Sequence, residues 1–222
     1  MARLVKLSGE MAVSPRRKYS PRLPREQRRE QLLDAALALI TAHGYGGASM
    51  EAVAREADIA KTVVYDAFGN RHGLLKALLE REQDRVLSAI AEAMPTPPLS
   101  GDPGELLTAG FSGVLEAVRA NPDTWRLILL PADGTPQGVR AEVNRHRARI
   151  LRQLEPMVQW GAPRLGLGHL DHELAAEAIL ALVENAARLT LTQPRRYPPE
   201  RIARFSADLL AGVAPGGPGT QM

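Results

Sequence analysis

Between Ser49 and Leu75 apolar residues return every three or four positions, first at Met50, Val53, Ala54 and Ala57, then at Ile59, Val63, Val64, Ala67 and Phe68. That spacing gives each of two short helices one buried face, and the few residues between them allow only a tight turn. Such a pair is a helix-turn-helix, and the second helix keeps its other face free for another molecule. If that molecule is a DNA duplex, the first turn at Ala60, Lys61 and Thr62, with Tyr65 one turn on, enters the major groove. A third helix starts directly after Phe68.

The 222-residue chain has room for a larger body beside this head, so one or two domains bound the organisation. With no Cys there is neither a disulfide framework, a thiolate metal site nor a thiol nucleophile. No run approaches the roughly 20 apolar residues of a membrane span, and Met1 to Ser20 carries charge where a signal peptide needs an apolar core. A soluble cytoplasmic protein without a membrane partner is therefore expected. Charge is uneven: residues 1–29 hold nine cations against two anions, while the whole chain carries only +3, so the remainder is net acidic. One basic end on an acidic body suits a chain of which one end approaches phosphates, with a solubilising disordered tail as the alternative.

Residues 1–24, with Pro15, Pro21 and Pro24 among Ser, Arg and Lys, read as a flexible basic arm. Residues 25–70 read as the helix-turn-helix domain. Its first helix runs from Arg25 to His43 with Leu32, Leu33, Ala36, Leu37, Leu39 and Ile40 as its stripe, and Gly44 closes it. Residues 71–213 form the body. A long helix capped by Asn70 runs from Arg71 to about Met94 on the stripe Leu74, Leu75, Leu78, Leu79, Val86, Leu87 and Ile90, stopped by Pro95. Asp102–Pro103, Asn121–Pro122 and Thr135–Pro136 each put a capping residue ahead of a first-turn proline, predicting three more helix starts. Two last helices span about Asp171–Thr192 and Pro199–Val213. No period-two β pattern occurs, so the fold class is all-α, and residues 214–222 read as a disordered tail.

Three short helices, one long linker helix and five larger ones resemble the TetR family of transcriptional regulators. The specific motifs are Ala36, Leu39, Ile40, Gly44 and Tyr45, then Val53–Ala54, then Val64–Tyr65, Phe68, Asn70–Arg71 and Leu74–Leu75. The family pattern has a capping Ser where Ala60 stands, a small polar residue at Val63, and an aromatic or His at Ala67. These departures bear on the operator sequence.

The resemblance implies that Tyr65 lays its ring on the DNA backbone and donates to a phosphate, with a half-buried packing role as the alternative. Lys61 can donate to guanine O6 and N7 or grip a phosphate, and Thr62 and Val63 offer methyl groups to thymine. Ser49, Asn70 and Arg71 sit at helix N-termini, where phosphate oxygens are favoured. Arg16, Arg17, Lys18 and Arg22 can follow the adjacent minor groove. A helix-turn-helix commonly binds DNA as a pair of heads, so a homodimer on a palindromic double-stranded operator is expected. The resemblance implies a four-helix bundle built by Leu174, Ala178, Ala181, Leu182, Leu189, Ile202, Phe205 and Leu209, with burial inside one subunit as the alternative.

The resemblance also implies a cavity for a small-molecule effector. Its candidate lining is Phe111, Val114, Trp125, Ile128, Val143, His146, Ile150, Met157 and Asn185, all but the polar pair being equally readable as core. His146 stands out in an apolar row of its helix, which predicts a mostly apolar ligand with one polar handle. His169, Asp171, His172 and Glu173 look like a metal cluster but open a helix, where Asp171 is a cap and Glu173 a first-turn anion. No metal, cofactor or catalytic residue is therefore assigned, since phosphate loops, zinc motifs and nucleophile elbows are absent from the sequence. The function expected is a dimeric repressor released by its effector. An effector-free DNA-binding dimer and an all-α enzyme are the alternatives.

Overall fold

The computed structural model describes residues 24–130 and 137–213, with backbone alone described at 137–143, 210, 211 and 213. The described residues contain nine α-helices and no strand, which is the all-α class expected. The first, α1 (Arg25–Gly47), is broken at Gly44, whose φ of 69° no side-chain-bearing residue adopts easily. The break turns Tyr45 into the core. Ser49 caps α2 (Met50–Glu56) by accepting from the Ala52 N–H at 3.1 Å. The turn then leads into α3 (Lys61–Phe68), and Asn70 caps α4 (Arg71–Ala93) by accepting from the Gly73 N–H at 2.9 Å. At 1.5 Å per residue α4 is about 35 Å long.

In the body, Asp102 caps α5 (Pro103–Ala120) by accepting from the Glu105 N–H at 2.8 Å, as its position before proline predicts. Asn121 differs. It ends α5 by donating its backbone N–H to Ala117 and begins α6 (Pro122–Leu129), but its side chain makes no cap bond, because its φ of −132° and ψ of 61° serve the sharp change of direction. The start expected at Thr135–Pro136 lies outside the described residues, and α7 runs from Gln137 to Gly161. A short 3-10 turn at Pro163–Leu165 precedes α8 (His172–Thr192) and α9 (Pro199–Val213).

Two apolar cores meet along α4. Its first half packs Leu74, Leu75 and Leu78 with Leu32, Ala36, Tyr45, Val53 and Val64 of the head. Its second half packs Val86 and Ile90 with Val114, Val118 and Trp125 of the body. Helix α6 belongs to both, since Leu127 enters the head core while Trp125 enters the body core. Between the cores α4 turns two polar residues inward, Glu82 and Gln83. Glu82 is fully buried: its Oε1 accepts from Arg81 Nε at 2.7 Å and Arg85 Nη1 at 3.1 Å, and its Oε2 from the Thr124 hydroxyl at 2.5 Å. Arg81 continues the chain of charges into the head, to Glu30 at 3.0 Å and Asp34 at 2.8 Å. Burial works against the Arg81 charge, but Glu82, Glu30 and Asp34 prevail and hold its pKa above the ordinary value.

Candidate nucleic-acid interface and cavity

Helix α3 is divided lengthwise. Val64 is wholly buried, whereas Lys61, Thr62 and Tyr65 face solvent and Val63 is half-buried. Arg29 of α1 holds the helix in place by donating to the Ala67 carbonyl at 3.0 Å and stacking 4.5 Å over the Phe68 ring. Arg29 thus serves inside the head, although it belongs to the basic end of the sequence. Arg71 likewise uses Nε and Nη2 within the head, donating to the carbonyls of Ala48 and Tyr45. This ties the start of α4 to the turn before α2 and commits two of the donors of Arg71, expected at a phosphate, within the head. Ser49 and Asn70 have their side-chain oxygens engaged as caps.

Lys61 pairs with Glu51 of α2 and lies 5.5 Å from the Tyr65 ring. Their mutual hydrogen bond raises the pKa of Lys61 and lowers that of Glu51. The outward face therefore presents its cation already balanced by a neighbouring carboxylate. Arg16, Arg17, Lys18 and Arg22 lie outside the described residues.

The body holds two adjoining chambers. The larger, about 370 Å³, is lined by apolar side chains of α4, α5, α7 and α8, including Phe111, Val114, Ile150 and Met157. The smaller, about 70 Å³, lies beside Trp125, Ile128 and His146, together with Gln83, Arg147 and Glu184. Burial lowers the His146 pKa, and Arg149 and Arg145 lower it further against the pull of Asp84. Arg147 makes a two-pronged bridge to Glu177, at 3.0 and 2.6 Å, and reaches Glu184 at 3.2 Å.

The outward faces of α8 and α9 are apolar. Leu182 is 56% exposed and Phe205 65%, with Leu174 and Leu209 also open, Ala178 and Ala181 beside them, and Leu189 and Ile202 half-buried. Among the described residues no helix is long and apolar enough to cross a membrane. Asp171 caps α8 by accepting from the N–H groups of Glu173 and Leu174 at 3.0 and 3.1 Å, the structural part expected of it.

Residues 32–78, the helix-turn-helix with the first turns of α4, match the family described as bacterial regulatory proteins, tetR family. These residues form a TetR-family helix-turn-helix domain. It is 29% identical over 143 residues to the HTH-type transcriptional activator FasR of Mycolicibacterium smegmatis, a match covering 64% of each chain. It is 32% identical over 97 residues to the HTH-type transcriptional repressor KstR of Rhodococcus jostii, covering 44% of this chain and 43% of KstR. The match thus spans less than two thirds of either relative. A TetR-like transcriptional regulator from Rhodococcus sp. RHA1 has the same fold, with a TM-score of 0.66 at 28% identity over 87% of this chain and 96% of that one.

Within the body the expected cavity residues do not all converge. Asn185 is not in either chamber. It faces a groove of about 380 Å³ between α5, α8 and α9, beside Leu182 and Phe205, because at 100° per residue it stands on the side of α8 away from Val183. Of Val143 only the backbone is described. Gln83, Glu82 and Thr124 were not singled out by sequence, though one signal was there. The apolar stripe of α4 passes from Leu79 to Val86, and the two inward positions between them hold Glu82 and Gln83.

Proposed function

We propose that this chain is a cytoplasmic, dimeric TetR-type repressor that binds a palindromic double-stranded DNA operator through α3 and is released when a small, mostly apolar effector enters the body. The observation that carries the reading is the division of α3, with Val64 anchored inside and Lys61, Thr62 and Tyr65 turned outward. A surface of this kind fits the major groove, where Lys61 reads a base edge and Tyr65 steadies the backbone. The open apolar faces of α8 and α9 supply the surface for pairing, which presents two such helices to one duplex.

Release follows from the position of α4 and α6. A ligand in the chambers presses on Ile90 and Trp125, which stand on the same two helices as Leu78 and Leu127 of the head core. Tilting these helices alters the spacing of the paired recognition helices, which must stay about one DNA turn apart. To shift the population from 1:99 to 99:1 the effector must favour the released form by about 5.5 kcal/mol. A chamber of about 370 Å³ favours this over an effector-free dimer, whose body would be filled by its own side chains.

Selection of bound duplexes from a random pool tests the reading. Wild type should enrich a palindrome, Lys61→Ala should lose preference at particular base pairs, and Tyr65→Ala should weaken all sequences alike. A pool without an enriched palindrome overturns it. Removing residues 1–23, with Arg16, Arg17, Lys18 and Arg22, should flatten the salt dependence by about 0.9 for each phosphate that the arm neutralises.

A further inference from the structure

Gln83 is the one amide on the inward stripe of α4, and it is 2% exposed. Its Nε2 meets no acceptor among the described residues. It lines the smaller chamber, and that chamber shares Ile90, Val114, Ile150, Leu180 and Val183 with the larger one. The two chambers therefore adjoin along these five apolar side chains, with the open amide on the wall of the smaller one. A buried donor without a partner is unfavourable, so an acceptor brought to it by a ligand gains more than the same acceptor would in an open site.

The charges around Gln83 decide which acceptor. Glu184 lines the same chamber, and Arg147 is already engaged by Glu177 and Glu184. Burial favours the neutral form of His146. A carboxylate entering here would be desolvated with no uncommitted arginine among the described lining residues to receive it.

We propose that the two chambers form one elongated site for a neutral amphiphile, whose apolar body fills the large chamber and whose single acceptor oxygen, a hydroxyl or carbonyl, docks on Gln83 Nε2. This rests on reading the body as an effector site and makes Gln83 the specificity-determining residue.

The full chain and its Gln83→Leu variant are titrated with n-octanol, octanoate and n-octane, following tryptophan fluorescence. Trp125 lines the small chamber and Trp160 the large one, and these are the chain's two tryptophans. Octanol should bind wild type about tenfold more tightly than it binds Gln83→Leu, the worth of one neutral hydrogen bond. Octane should not distinguish the two proteins, and octanoate should bind wild type less tightly than octanol. Without ligand, Gln83→Leu should melt at or above the wild-type temperature, since it removes an unsatisfied donor. Gln83→Met repeats the comparison should Gln83→Leu fail to fold. Equal octanol affinity for both proteins overturns the Gln83 contact and leaves the effector site standing, whereas a preference for octanoate overturns the neutral end group. A lower melting temperature for both variants makes the amide structural and also overturns the proposal. If no probe binds wild type, the effector reading falls with it.

Discussion

The Thr124 hydroxyl donates to the buried Glu82 carboxylate at 2.5 Å, joining α6 to α4 between the head and body cores. Thr124→Val keeps the shape but withdraws the donor from a charged, buried acceptor, so it should cost about 1.5–3 kcal/mol. Glu82→Ala leaves Arg81 without its nearest carboxylate and should cost about 3–5 kcal/mol. Chemical denaturation of the two variants measures both. Equal and negligible losses would mean that the polar belt contributes nothing to holding the halves together.

The ion pair with Glu51 restrains the Lys61 ammonium proposed to meet DNA. Glu51→Gln should therefore raise operator affinity by a small factor and steepen its salt dependence, because one more cation is released to the duplex. Titration of labelled operator at several salt concentrations reads both. Weaker binding by the variant would show that Glu51 positions Lys61 instead of restraining it.

Gly73 lies in the first turn of α4, where an added Cβ would collide with the carbonyl oxygen of Phe68 at the end of α3. Backbone on both sides leaves little room to yield, so Gly73→Ala should destabilise the head by about 1–3 kcal/mol and shift α3. Thermal unfolding together with operator binding would register the two effects, and an unperturbed variant would contradict the close approach.

Leu182 and Phe205 are mostly exposed on the faces proposed to pair. A Leu182→Glu, Phe205→Glu double variant should be monomeric and lose most operator affinity while each subunit keeps its helicity. Sedimentation analysis checks the mass, and a wild type that is itself monomeric at micromolar concentration would refute the interface.

The His146 pKa is lowered, first by burial and then by Arg149 and Arg145. A depressed histidine favours the folded state fully above its ordinary value near 6.5, and that stability is lost as pH falls below it, since the unfolded chain then takes up more protons. His146→Gln should accordingly lose less stability than wild type between about pH 7 and pH 5. Parallel denaturation curves across that range would show otherwise.

Much of this architecture was legible in the sequence because it is local. Caps at Ser49, Asn70, Asp102 and Asp171 act within a few residues of themselves, and the structure finds each of them accepting from its own helix. Asn121 shows where such reasoning stops. Its side chain does not cap α6, because the backbone at that position also ends α5.

By itself the sequence determined the all-α class, the helix-turn-helix and which residues share a helix face, since each follows from spacing along one element. Only the tertiary structure decided what stands opposite those faces. It closed Glu82 on Thr124, drew Arg71 and Arg29 into the head, turned Asn185 away from the chambers and left Gln83 Nε2 open beside one. The physical reason is that periodicity sets the direction of a side chain, whereas burial and hydrogen bonding depend on a second element brought near from far along the chain.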